Sequence, residues 1–337
     1  MKELKVAMIG FGGIGASHKA AYDALSKEGT SVRLVAVCDK NKDSINKTQT
    51  TNLGTVDTGS FEGINFYSDC DELIKNEDFD IADICLPTFL HKEYTVKLLQ
   101  AGKHVLCEKP MALSGVDCDE MITASVKSGK ELMIGQCLRF DPAYLYLKGL
   151  VESLEFGKAR RITMGRLSFM PAWGGWFTDS AKSGGVVTDF HIHDIDMLRF
   201  LFGEPYAVSS VSYPQDKGWQ YVNSRFYYEE LIAEAEASFD ESPTAPFSMW
   251  YRVRFDRATV VFENEGVTVF PDEGEPYAPE LEKNDRIAKE IGYFAEIISR
   301  GEMNTVNPAS STSESIKLSE LVRESTEKNG EMIRRKT

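Results

Sequence analysis

Along the first 138 residues, apolar positions come in short unbroken runs divided by mixed, helix-like stretches. Lys5-Val6-Ala7-Met8-Ile9 is the first run, and it stops at a glycine. Residues 16–29 follow as a helix closed by Gly29. A second run, Val32 to Cys38, ends beside Asp39. Thr, Asn, Gly and Ser crowd 41–64, which predicts a weak helix and a long loop. Asn65-Phe66-Tyr67 reads as a short strand and Asp71 to Lys75 as the start of a helix. Ile81 to Leu86 is a fourth strand halted by Pro87, and 91–101 is helical up to Gly102. His104 to Cys107, a helix at 114–128 and a strand at 131–137 complete the series. Continuous apolar strands separated by helices predict a parallel sheet covered on both faces.

Beyond residue 138 the period changes. Helices are expected at 142–152 and 188–202, the second stopped by Gly203. Five runs of period two then follow closely, at 206–213, 221–228, 231–239, 247–255 and 258–263. Short links between such strands predict an antiparallel sheet. The stretch 264–283 reads as a connection, and helices at 284–300 and 309–328 close the chain. The expected fold is α/β: a Rossmann-like parallel sheet over 1–138, then an α+β domain with an open antiparallel sheet over 139–337.

Composition narrows the class. Apolar residues make up 42% of the 337, enough to build cores rather than a disordered chain. Acidic residues number 52 against 38 basic ones, a formal charge of −14. Such a chain is a poor binder of nucleic-acid backbones or anionic membranes. No apolar stretch is long enough for a membrane span, and the opening residues read as a strand, not as a signal peptide. The six cysteines, Cys38, Cys70, Cys85, Cys107, Cys118 and Cys137, include no C-x-x-C pair. Several lie in strand-like runs, which fits buried free thiols in a reducing cytoplasm.

Gly10-Phe11-Gly12-Gly13-Ile14-Gly15 fits G-x-G-x-x-G between a strand and a helix, the context that a dinucleotide site requires. Gly10 permits the tight turn, Gly12 lets the backbone approach a pyrophosphate, and Gly15 lets the helix pack on the strand. Free N–H groups at the helix start then hold the phosphates. Asp39 follows 24 residues after Gly15. Its carboxylate suits the ribose hydroxyls of NAD and repels the 2′-phosphate of NADP, although Lys40 partly offsets that repulsion. NAD is the expected cofactor, with NADP the alternative.

Lys109 follows the fifth apolar run, at the sheet edge where open parallel sheets bind ligands. Pro110 biases it toward an extended conformation, and their peptide bond is open to either isomer. Asp189 and His193 lie four residues apart on an expected helix, so they share one face. That spacing suits a coupled acid–base pair, and equally a capping aspartate with a core histidine. His191, Asp194 and Asp196 lie nearby, but hydride transfer needs no metal and none is expected.

The same residues resemble the Gfo/Idh/MocA oxidoreductase family, that of glucose–fructose oxidoreductase and inositol dehydrogenase. Gly10 to Gly15 with His18 resembles the family's G-x-G-x-x-G-x-x-H opening. Pro87-Thr88 with His91 resembles its turn near the nicotinamide ribose, and Glu108-Lys109-Pro110 its E-K-P signature. Arg139-Phe140-Asp141-Pro142 resembles the segment leaving the nucleotide domain. Trp176 and the run from Ser183 to Asp196 resemble the segment with the remaining catalytic groups.

The resemblance implies a sugar, sugar derivative or inositol as substrate, with a secondary hydroxyl oxidised to a ketone. It implies catalytic roles for Lys109, Asp189 and His193, with Arg139 and Trp176 also at the substrate. Phe11, Gly13, Ile14, Lys40, Pro87, Thr88, His91 and Glu108 join the glycines and Asp39 at the cofactor. His91 could instead only begin its helix. Trp173, Trp176, Phe169 and Phe177 suit the apolar face of a sugar ring or ordinary packing. A cytoplasmic homodimer or homotetramer, joined through the outer face of the C-terminal sheet, is expected. The family also contains glycosidases that use NAD transiently and non-catalytic regulators. Lys109, Asp189 and His193 together argue against a regulator.

Overall fold

Because the strands of the N-terminal half are apolar on both faces, they form a sheet that helices must cover from each side. A computed structural model describes residues 3–51, 54–170, 175–213, 219–263 and 266–336. Its first sheet uses β1 (Leu4–Ile9), β2 (Val32–Cys38), β5 (Asn65–Tyr67), β6 (Ile81–Ile84), β7 (His104–Glu108) and β8 (Leu132–Gly135). Their order is β5-β2-β1-β6-β7-β8, and every pair is parallel. That is the doubly wound dinucleotide-binding order, whose direction reverses beside β1. The connections carry α1 (Gly13–Lys27), α2 (Cys70–Asn76), α3 (His91–Gln100) and α4 (Gly115–Ser128). The polar stretch after β2 folds as a 3₁₀ turn at Lys42–Asn46 and a small hairpin of β3 (Gln49–Thr51) and β4 (Gly54–Val56).

The chain divides into two compact units, Met1–Phe140 with Asn284–Ser313, and Asp141–Lys283 with Glu314–Thr337. The late segment of the first unit carries α8 (Arg286–Arg300). Asp285 caps this helix by accepting the Ile287 N–H at 2.8 Å, and Gly301 ends it in the left-handed conformation. Its Ile291, Phe294, Ala295 and Ile297 complete the core formed by β1, β2 and α1.

In the second unit, α5 (Pro142–Ser153) precedes β9 (Ala159–Leu167), and α6 (Ser180–Ser183) and α7 (Ile192–Phe202) follow. Then come β10 (Ala207–Tyr213), β11 (Tyr221–Tyr227), β12 (Ile232–Ser238), β13 (Ser248–Phe255), β14 (Ala258–Glu263) and β15 (Gly266–Pro271). After α9 (Ala309–Glu327), β16 (Ile333–Arg334) joins the sheet edge. The sheet order is β15-β14-β13-β9-β12-β11-β10-β16. Ala233, Ala235 and Ala237 of β12 are buried, while Glu234 and Glu236 between them are less so. This alternation is that of a sheet packed on one face only.

Two details of the second sheet differ from the sequence reading. β9 and β12 are parallel, because the long helical crossover between them supplies the return that a parallel pair needs. β15 also takes its strand from the stretch read as a connection, pairing antiparallel with β14.

Candidate functional site

The glycine turn leaves the carboxyl end of β1. Gly10 has φ +93, and a Cβ there would lie 2.7 Å from the Cys85 carbonyl oxygen. A Cβ on Gly15 would lie 2.8 Å from the Gly10 carbonyl oxygen. At Gly12, by contrast, a Cβ would meet nothing within 4 Å. The turn is therefore closed beneath and open at Gly12, at the start of a helix with no side-chain cap. This geometry fits a pyrophosphate held by backbone N–H groups. Gly13 and Ile14 form the first turn of α1.

Asp39, just past β2, ties into the same turn. Its Oδ2 accepts the Phe11 N–H at 2.8 Å and its Oδ1 accepts the Asn41 N–H at 2.8 Å. Each carboxylate oxygen keeps further acceptor capacity, as ribose hydroxyls require. The Phe11 ring is buried against Phe61, 5.2 Å between centroids, so Phe11 presents backbone rather than side chain. Lys40 is exposed.

Pro87 and Thr88 turn away from the end of β6, with Thr88 buried. His91 is buried too, its Nδ1 2.8 Å from the Pro110 carbonyl oxygen and its Nε2 2.8 Å from that of Leu86. Burial holds its pKa below the usual histidine value, although the two carbonyls pull the other way. His91 thus joins the turns after β6 and β7. Lys109 follows β7 half-buried, and the Lys109–Pro110 bond is cis. Glu108 Oε2 accepts the Lys109 backbone N–H at 2.9 Å.

Beneath these turns lies a charged cluster whose roles are not evident from sequence. His18 of α1 has Nδ1 2.9 Å from Asp83 Oδ2 and Nε2 3.0 Å from Glu108 Oε1. Tyr22 donates to the same Asp83 oxygen at 3.0 Å. Burial alone lowers the His18 pKa, but Asp83 and Cys85 outweigh it and hold it well above the ordinary range. Glu290 of α8 is also fully buried, and burial together with Glu108 pushes its carboxyl far up, toward the neutral acid. Ligand atoms of His18, Asp83 and Cys85 lie within 4.8 Å of one another. Both His18 nitrogens already face carboxylates, so the grouping is a hydrogen-bond network. One sequence signal pointed here: Asp83 sits inside the apolar strand Ile81-Ala82-Asp83-Ile84.

In the second unit, the expected helix 188–202 is two pieces. Val186–Phe190 forms one π-helical turn holding Asp189, and α7 begins at Ile192 and carries His193. The His191 N–H reaches the Val186 carbonyl at 2.8 Å, the wider i→i−5 bond that marks such a turn. Asp189 is buried and His193 half-buried. Arg323 pins the turn by donating to Gly184 O at 3.1 Å and Thr188 Oγ1 at 2.7 Å. Asp196 accepts from Ser315 at 2.7 Å. Asp194 faces Arg166 of β9 at 3.6 Å and His191 at 3.5 Å, all three buried. The cation beside Asp194 is thus an arginine.

Trp176 is half-buried and stacks on Phe177 with 4.0 Å between centroids. Trp173 lies outside the described residues. Arg139 belongs to the first unit, where it donates to Val306 O at 2.9 Å and Ser311 Oγ at 3.0 Å. All six cysteines are free thiols, and five are buried. Among the described residues no helix is long and apolar enough to cross a membrane.

Residues 4–136 match the model described as an oxidoreductase family with an NAD-binding Rossmann fold, and residues 144–261 match the GFO/IDH/MocA C-terminal domain. An inositol 2-dehydrogenase of Salmonella paratyphi B is 30% identical over 63% of this chain, and the chain covers 58% of that relative's length. A 2,7-anhydro-N-acetylneuraminate hydratase of Mediterraneibacter gnavus is 31% identical over 60% of this chain and 50% of its own. The solved aldose–aldose oxidoreductase of Caulobacter crescentus, complexed with glycerol, superposes with TM-score 0.85 at 22% identity. It covers 99% of this chain and 100% of its own.

Proposed function

The chain belongs to the Gfo/Idh/MocA oxidoreductase family, and from that premise we propose that it is an NAD-dependent dehydrogenase of a sugar, sugar derivative or inositol. One observation carries the reading. The glycine turn, Asp39 and Lys109 all sit at carboxyl ends of strands in one parallel sheet, the edge at which such sheets bind ligands. Gly10 to Gly15 hold the pyrophosphate and Asp39 the adenosine ribose. Lys40, Pro87, Thr88, His91 and Glu108 border the cofactor by contact or through the turns they shape.

Bound nicotinamide supplies the hydride acceptor at C4. Lys109 orients the substrate hydroxyl and stabilises negative charge as the O–H bond breaks. His193 takes the hydroxyl proton on its ring, and Asp189 favours the protonated imidazole. The carbon loses hydride and the oxygen loses a proton, leaving a ketone. Arg139 and Trp176 are the remaining groups assigned to the substrate, Arg139 through the segment it anchors. The protein works as a cytoplasmic homo-oligomer, a dimer or tetramer joined by the outer face of the second sheet.

A second reading follows from the relative named as a hydratase. As in the glycosidases that use NAD transiently, this chain's groups would remove a proton after transient oxidation, without net NADH.

NADH formation across inositols, polyols and aldoses tests the reading, with Lys109→Ala alongside. Turnover with one substrate group, reduced by orders of magnitude in the variant while calorimetric NAD binding persists, supports it. Near wild-type turnover in Lys109→Ala overturns the site. Sugar conversion without NADH accumulation transfers the reading to the second reaction.

A further inference from the structure

We infer that His18 is a positioning residue for Lys109: it grips one oxygen of the Glu108 carboxylate, whose other oxygen holds the Lys109 backbone N–H. The inference rests on the role proposed for Lys109. The two contacts are 3.0 and 2.9 Å, so one carboxylate spans from α1 to the turn after β7. A carboxylate only accepts hydrogen bonds, so a ring between two of them donates from both nitrogens as imidazolium. The pKa direction of His18 agrees. Asp83 fixes the far side of the ring at 2.9 Å, and Tyr22 fixes Asp83 at 3.0 Å.

Two further features restrict Glu108 to this bridge. A Cβ on Gly135 would lie 2.9 Å from Glu108 Oε1, so β8 leaves room for the carboxylate and nothing larger. Glu290, a third buried carboxyl nearby, is driven toward its neutral form and so does not compete with Asp83 and Glu108 as a further anion for the imidazolium. A displacement of about 1 Å at a catalytic group can cost on the order of a hundredfold in rate. A bridge that fixes the Lys109 backbone is therefore worth its buried charges.

The obvious rival is that the network only satisfies buried groups. Two isosteric variants separate the possibilities. In His18→Gln the amide nitrogen takes the place of Nε2 and keeps the bond to Glu108. In His18→Asn it takes the place of Nδ1 and keeps the bond to Asp83. Positioning predicts that His18→Asn loses roughly tenfold or more in kcat, with KM for NAD little changed, and that His18→Gln recovers most of it. A structural role predicts equal effects, or the reverse order.

An assay that needs no substrate runs in parallel. Lys109 is labelled with an acylating reagent and its peptide is quantified by mass spectrometry. Labelling several-fold faster in His18→Asn and near wild type in His18→Gln is expected. Equal labelling in both, or faster labelling in His18→Gln, overturns the inference. Glu108→Asp carries the test if His18→Asn does not fold. It keeps the charge but is one methylene too short for both bonds, so unchanged Lys109 labelling there overturns the bridge. Wild-type protein inactive on every substrate would sink the proposed function alone, because the labelling comparison still decides the role of His18.

Discussion

In the first unit His18, Asp83, Glu108 and Tyr22 are joined by contacts of 2.9–3.0 Å, whereas in the second Arg166, Asp194 and His191 stand 3.5–3.6 Å apart. Both clusters are buried beside residues assigned to the chemistry. In the first, the acceptors and donors are matched in direction as well as charge. In the second, both Asp194 oxygens, Arg166 Nε and His191 Nδ1 lack a hydrogen-bond partner among the described residues. Arg166 is instead steadied by the Phe190 ring, 5.8 Å from its guanidinium carbon. Hydrogen bonds fix where a group sits, while a looser Coulomb pair fixes mainly which charges must be present. The first cluster is therefore suited to setting an angle at Lys109, and the second to keeping a charged pair beside the π turn.

The largest expected effect breaks the second cluster. Asp194→Ala leaves Arg166 buried without its anion, and losing one partner of a buried pair costs about 3–5 kcal/mol. Calorimetry should show a melting temperature lower by on the order of 10 °C. Removing both charges, as Arg166→Met with Asp194→Leu, should restore much of that loss, because an apolar pair needs no solvation. A double variant no better than Asp194→Ala would mean that the pair does more than balance charge.

Asp39 tests the comparison at an intermediate scale, since its oxygens are matched to backbone N–H groups rather than to a cation. Asp39→Ala removes a charged acceptor, a change of about 1.5–3 kcal/mol. NAD affinity should fall by roughly ten- to a hundredfold, and NADP affinity by clearly less. Titrating both cofactors checks this, and an unchanged NAD/NADP ratio would remove Asp39 from the ribose site.

The smallest effect sharpens the account of the first cluster. The folded Glu290 carboxyl keeps its proton well above the ordinary value of 4.5, whereas the unfolded chain releases it there. The folded state then binds more protons, so this group's contribution to stability is full below that pH and declines as pH rises toward the folded pKa. Glu290→Gln should abolish a slope of about 1.4 kcal/mol per pH unit and leave stability unchanged in acid. Denaturant titrations at several pH values measure it, and parallel curves for the two proteins would show that Glu290 is ionised in the fold.

Much of the architecture was legible because it depends on local pattern. Unbroken apolar runs ending in Gly10, Asp39, Pro87 and Lys109 announce strands buried on both faces, with polar groups at one end. The π turn at 186–190 was not legible, because an α-helix and a π turn ask for the same residues. Their difference is decided by what holds the turn, here Arg323 on Gly184 and Thr188. The parallel pairing of β9 with β12 was equally hidden, since period two describes a face and not a neighbour.

The amino-acid order by itself determined the strand–helix alternation, the glycine turn and the acidic net charge. These follow from backbone sterics, side-chain period and residue chemistry within a few positions. Only tertiary structure decided that α8 completes the core around β1 and α1, that Asp83 and Glu108 close on His18, and that Asp194 meets Arg166. Such contacts join residues tens to hundreds of positions apart, and their energies depend on distance and burial, quantities that exist only once the chain has folded.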